Sequence, residues 1–144
     1  MSSFPASLVT PERTVLDTEV QAVMLRTVDG EAAFLPGHTD LVGALVPGPV
    51  RFQGEDGTEE RAAVHGGFVQ VHPDHVVVLA PIAELEGEID LDRARRALEE
   101  ADQALAELGT AAGEEEAGAG LRRLELEDAR RRAQLRIEVV SPGS

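Results

Sequence analysis

Two hydrophobic periods divide the chain. Up to about Glu86, apolar and β-branched residues come in short runs: Ser7–Thr10, Thr14–Thr18, Val20–Arg26, Glu31–Phe34, Leu41–Leu45, Val50–Gln53, Arg61–Val64, Phe68–His72 and Val76–Ala80. Runs of this kind, recurring every ten residues or so, predict an all-β sandwich or barrel. Turn-forming pairs separate them: Asp29-Gly30, Pro36-Gly37, Pro47-Gly48, Gly66-Gly67 and Pro73-Asp74. Pro49 belongs at a strand start or on an edge, because proline has no N–H for a ladder.

After Glu88 the period lengthens. Leu91, Ala94, Leu98, Ala101, Leu105 and Leu108 step by 3, 4, 3, 4 and 3 residues, the seam of an antiparallel helical hairpin or short coiled coil. Asp90 suits the N-cap of this helix and Gly109 its stop. Gly113 to Gly120 reads as an acidic, glycine-rich loop. A second helix, about Leu121 to Val139, places Glu127/Arg131 and Asp128/Arg132 at the favourable i,i+4 order. Its apolar stripe is ambiguous, either Leu126, Ala129, Ala133 and Ile137, or Leu121 and Leu124 with Leu135. The expected fold class is therefore β + α. An antiparallel β-sandwich or flattened barrel spans residues 1–87, and a helical hairpin spans 88–144, with helices at about 90–108 and 121–139.

Composition narrows the chemistry. Cysteine and lysine are absent, which rules out disulfides, thiolate metal sites, a Walker-type phosphate loop and a Schiff-base lysine. Ser7 is the only serine between Ser3 and Ser141, so a serine nucleophile is not expected. The net charge is −14, with 4 Arg against 13 acids in residues 1–87 and 9 Arg against 14 acids in 88–144. So acidic a chain is not expected to bind nucleic acid or anionic lipid through its overall field. The run Val76 to Ala83 is too short to cross a bilayer, so no direct membrane insertion is expected. The N-terminus carries no basic segment followed by an apolar stretch. A soluble, cytoplasmic chain that meets a membrane only through partners is the expectation.

Five blocks stand in order along the chain. They are Val9-Thr10-Pro11-Glu12-Arg13, then Asp29-Gly30-Glu31 with Leu35-Pro36-Gly37-His38, then Gly66-Gly67-Phe68-Val69-Gln70-Val71, Val76-Val77-Val78-Leu79-Ala80, and Ile89-Asp90-Leu91-Asp92-Arg93-Ala94. In this order and spacing they resemble the ε subunit of bacterial F-type ATP synthases over residues 8 to 108. Ala32, Ala33, Asp40 and His65 depart from the pattern, as does the Arg130-Arg131-Arg132 run.

The resemblance implies a non-catalytic rotor subunit of the central stalk, at the cytoplasmic face of the plasma membrane and monomeric when isolated. Its implied partners are the γ subunit, the c-ring and the α/β catalytic hexamer. The sandwich would couple rotation of the c-ring to the catalytic head, and the hairpin would inhibit ATP hydrolysis. Read alone, Pro36-Gly37-His38 is a tight turn; the resemblance makes Glu31 and His38 contacts to the c-ring. Read alone, Asp90 and Arg93 are a helix cap and a first-turn arginine. The resemblance makes Asp90, Arg93 and Ala94 part of a regulatory ATP site, with Glu84 beside them and Arg122, Arg123 or Arg130 supplying cations for the phosphates. No cofactor is required on this reading. Two rival readings come from other classes. One is a free-standing β-sandwich binding module with a helical dimerisation tail, for which four Phe and no Trp or Tyr are a poor aromatic supply. The other is a small metal hydrolase using His72 and His75, which flank Pro73-Asp74, with His65 as a third ligand.

Overall fold

The computed structural model describes residues 3–35, 37, 40–110 and 117–140. Ten strands are found among them: β1 (Phe4–Val9), β2 (Thr14–Val20), β3 (Ala22–Thr27), β4 (Gly30–Phe34), β5 (Leu41–Leu45), β6 (Gly48–Gln53), β7 (Glu59–Val64), β8 (Gly67–His72), β9 (His75–Leu79) and β10 (Ala83–Leu85). A 3-10 turn over Glu86–Glu88 follows, then helices α1 (Leu91–Thr110) and α2 (Ala117–Val140). Strands and helices fall into two compact units, Met1–Glu88 and Ile89–Ser144.

The strands follow the order β10-β7-β6-β3-β5-β8-β9-β1-β2, with β4 paired to β3. All pairs are antiparallel except β1 with β9. Period-2 alternation puts Leu8, Val50, Phe52, Val69, Val71, Val76 and Val78 into one core, each at most 2% exposed. No charged or polar residue is buried among the described ones. The core therefore holds together by apolar packing and ladder hydrogen bonds.

Several expectations shift in detail. β1 begins at Phe4 instead of Ser7, and Pro5 is tolerated there because the ladder to β9 starts only at Ala6. Val20 closes β2 and does not open β3, since its side chain is buried in the core. Pro49 pairs with Ala63 of β7, near the start of β6, while β3 meets only Arg51 to Gln53 on the other side. The sequence reading had no strand at Ala83–Leu85, which pairs with Ala62 to Val64 of β7.

In the helical unit α1 and α2 pack together as a hairpin. Ala94 and Ala101 are buried, while Leu91, Leu98, Leu105 and Leu108 are half-buried, as a seam requires. Asp90 caps α1: its Oδ1 accepts from the Arg93 N–H at 3.1 Å and its carbonyl from the Ala94 N–H at 3.0 Å. On α2 the inward face draws on both stripes, with Leu126 and Ala133 from the first and Leu135 from the second. Leu126, Ala133, Leu135 and Val139 are buried, whereas Leu121 and Leu124 are 61% and 64% exposed. The helix also starts earlier than expected, at Ala117, so Gly118 and Gly120 lie within it. Asp128 pairs with Arg132 as anticipated, but Arg131 reaches Asp128 at 3.4 Å, where the sequence had pointed to Glu127.

Candidate functional site

One exposed apolar patch of the sandwich lies on the outer side of β5, β8, β9 and β1. Val69 and Val71 of β8 face the core, so alternation turns Phe68 and Gln70 outward. Phe68 sits across from Ala44 of β5 and Leu79 of β9, and Leu79 is level with Val9 of β1. The row Ala44, Phe68, Leu79 and Val9 thus crosses four strands. Val42 lies one pleat away, across from Gln70. Phe68 is 56% and Val42 68% exposed. Beside Phe68 a groove of about 360 Å³ is lined by Val9, Thr10, Pro11, Gly67, Leu79, Ala80 and Pro81. Its walls offer little to a charged ligand and suit an apolar segment of a partner.

Two turns lie at opposite ends of β5, with Val28 beside Ala44 and His72 beside Asp40. The β3–β4 hairpin closes over Val28 and Asp29, with the Thr27 hydroxyl donating to the Gly30 carbonyl at 2.8 Å and accepting from the Asp29 N–H at 3.1 Å. Gly30 supplies the positive φ, +119°. Glu31 follows directly, exposed, with Arg26 Nε 3.7 Å from its carboxylate. His38 lies outside the described residues, as do Pro36 and Thr39. At the β8–β9 turn His72 and His75 are register partners, and their rings stack with centroids 4.3 Å apart. His72 Nδ1 is 3.4 Å from Asp40 and His75 Nδ1 2.8 Å from Asp74. The His75 hydrogen bond holds the Asp74 carboxyl below its usual range. Stacked rings point their nitrogen lone pairs along parallel planes and not at one shared point. His65 is elsewhere, its Nε2 3.3 Å from Glu84 of β10. Among the described residues no three His, Asp or Glu converge as a metal would need.

The residues assigned to a nucleotide are spread out. Glu84 belongs to the sandwich unit, and Asp90, Arg93, Ala94, Arg122, Arg123 and Arg130 to the helical one. Asp90 and Arg93 share the first turn of α1, both exposed, but Ala94 is buried in the hairpin seam and leaves no open space for a base. Arg130 Nε binds Asp102 at 2.5 Å. That pair fixes the hairpin register and sets Arg122 and Arg123 beside the C-terminal end of α1. At 1.5 Å per residue they stand roughly 25–30 Å from Asp90 and Arg93 along the axis. In this packing the cations and the carboxylate do not form one cradle.

Comparison with known proteins turns on the sandwich. Residues 3–86 match the family described as ATP synthase, Delta/Epsilon chain, beta-sandwich domain. The chain belongs to the ATP synthase delta/epsilon chain family. Within that family, the ATP synthase epsilon chain of Alkalihalophilus pseudofirmus is 48% identical over 73% of this chain and 78% of its own length. The epsilon chain of Bacillus subtilis is 41% identical over 73% of this chain and 79% of its own length. That of Moorella thermoacetica is 39% identical over 85% and 92%. Among solved structures, a chain of the Euglena gracilis mitochondrial ATP synthase, described with its OSCP, F1 and c-ring, superposes with a TM-score of 0.74. It is 26% identical over 93% of this chain and 79% of that one. A chain of the Tetrahymena thermophila mitochondrial ATP synthase, in a structure of its central stalk and c-ring, has a TM-score of 0.54 at 14% identity, covering 96% of this chain and 97% of that one; this likeness shows the fold alone. No helix among the described residues is long and apolar enough to cross a membrane.

Proposed function

We propose that this member of the epsilon-chain family is a rotor subunit of the central stalk, binding the γ subunit and the c-ring and performing no covalent chemistry of its own. The observation that supports this reading most is the apolar row Ala44, Phe68, Leu79 and Val9 with its groove, on the domain that the family model matches. An aromatic anchor beside an apolar groove is what a permanent protein partner requires. On this reading γ covers that face. Glu31 and His38 meet the polar loops of the c-ring, and the complex lies at the cytoplasmic face of the plasma membrane. The helical hairpin inhibits hydrolysis by reaching the α/β hexamer with the arginines of α2.

Regulatory ATP binding belongs to the same proposal in a restricted form. Asp90 and Arg93 supply the exposed first turn of α1, and Arg122 or Arg123 reach a shared phosphate tail only if α2 repacks. Nucleotide would then favour one hairpin state over another, as differential binding demands. Calorimetry on the full chain at millimolar ATP tests this: a heat lost in Arg93→Ala supports it, and no heat in the wild type removes it.

Purified γ subunit and the full chain provide the test of the main reading. Wild type is expected to form a one-to-one complex in gel filtration, and Phe68→Asp to weaken it by at least about 2 kcal/mol, the size of an interface hot spot. Binding of γ that is indifferent to Phe68→Asp and Val42→Asp would remove this face as the docking site.

A further inference from the structure

Strand β10 is a short edge strand of the sheet. It is three residues long, hydrogen-bonds as a strand only with β7, and commits only Ala83 fully to the core, with Leu85 partly buried against it. Segments with so few buried contacts open at a lower free-energy cost than the core beside them. Two carboxylates, Glu84 and Glu88, fasten it from opposite sides. Glu84 Oε1 lies 3.3 Å from Nε2 of His65, which sits on the connection between β7 and β8. The His65 N–H also donates to the Ile82 carbonyl at 3.1 Å. Glu88 accepts twice from Arg13 Nη2, at 2.9 and 2.7 Å, and once from the Leu85 N–H, at 3.0 Å. Arg13 comes from the turn between β1 and β2, 75 residues earlier in the chain.

We propose that residues 81–90 form a releasable strap that stores tether length for the helical unit. Docked, the strap ends the sandwich at Glu88 and starts the tether there. Peeled from β7, residues 81–88 become free chain and add up to about 26 Å of reach, at roughly 3.3 Å per extended residue. The rest of the core stays closed, because β7 remains paired to β6. The side chains of Arg13 and His65 are two catches on the strap.

Amide hydrogen exchange on the full chain, read by NMR, tests the strap. The Glu84 amide, which stands in the next hydrogen-bonded pair of the ladder to β7 after Ile82 and His65, is expected to exchange at least tenfold faster than the amides of β8 and β9. Arg13→Ala and His65→Ala should each raise Glu84 exchange a further two- to fivefold or so, the range for the loss of one weak side-chain pair, with β8 and β9 unchanged. Glu84 exchanging at the rate of β8 and β9 in the wild type would refute the strap, as would substitutions that lower protection in all three strands alike. A second measurement reads the tether. The chain has no native cysteine, so Glu55→Cys and Glu100→Cys can be spin-labelled cleanly. Adding Arg13→Ala and His65→Ala together should lengthen the long-distance tail between the labels. A distribution that stays the same while Glu84 exchange rises would overturn the tether.

Discussion

At the scale of single residues, two positions carry more than their neighbours. Gly67 has a φ of +120°, and a Cβ there would fall 2.1 Å from the Leu79 carbonyl oxygen. Backbone of β9 cannot yield that space without losing its ladder to β8. Gly67→Ala should therefore cost more than about 2 kcal/mol in urea denaturation, combining left-handed strain with a steric clash. Glu88 is the other. The Leu85 N–H, and after it the Arg13 guanidinium, hold its carboxyl below the usual range, against burial and the nearby Glu84 charge, which push it up. An acid whose pKa is lowered on folding adds stability that is complete above the unfolded value, near 4.3 for glutamate, and is lost as pH falls through the folded value. Glu88→Gln should therefore flatten the acid limb of the stability curve below about pH 4. Thermal melts of wild type and variant from pH 2 to 7 would show it; parallel curves would contradict it.

Elements show what pattern alone can and cannot deliver. The first helix was legible from its seam, because six apolar positions at alternating steps of 3 and 4 admit only one face, and Asp90 marked its start. The strands were legible because β-branched runs stand between strong turn pairs. Strand β10 was not, since Ala83-Glu84-Leu85 is too short for its alternation to stand out, has no β-branched residue, and pairs along Ala62 to Val64 of β7. The second helix was half legible: both stripes exist in the sequence, and only contact with α1 selects Leu126 over Leu124. The nucleotide residues illustrate the same limit. Their types suit a phosphate ligand, but spacing along α2 does not reveal that the Asp102–Arg130 pair sets Arg122 and Arg123 at the far end of the hairpin. The outer apolar row had no signature either, because Ala44, Phe68, Leu79 and Val9 meet only through strand order. A pair of substitutions checks the stripe assignment. Leu126→Ala should lower the stability of the helical unit by about 2 kcal/mol, the smaller end of buried leucine truncations, whereas Leu124→Ala should change it by less than about 0.5 kcal/mol. Circular dichroism at 222 nm against urea reads both.

At the scale of the whole molecule, a β-rich unit and a helical unit meet at the Glu88–Ile89 junction, each with its own apolar core. We expect the chain ending at Glu88 to retain β-type circular dichroism and a cooperative melt, because its core cluster contains no residue of α1 or α2. Family membership and the apolar outer face then place the central claim on assembly with an ATP synthase. Affinity capture of the tagged full chain from membranes of the source cells, with the co-purifying chains identified by mass spectrometry, tests it most directly. The account predicts that the α, β, γ and c subunits of ATP synthase come down with the wild type in fixed ratio and that Phe68→Asp depletes all of them together. Capture of the wild type free of those subunits would contradict it.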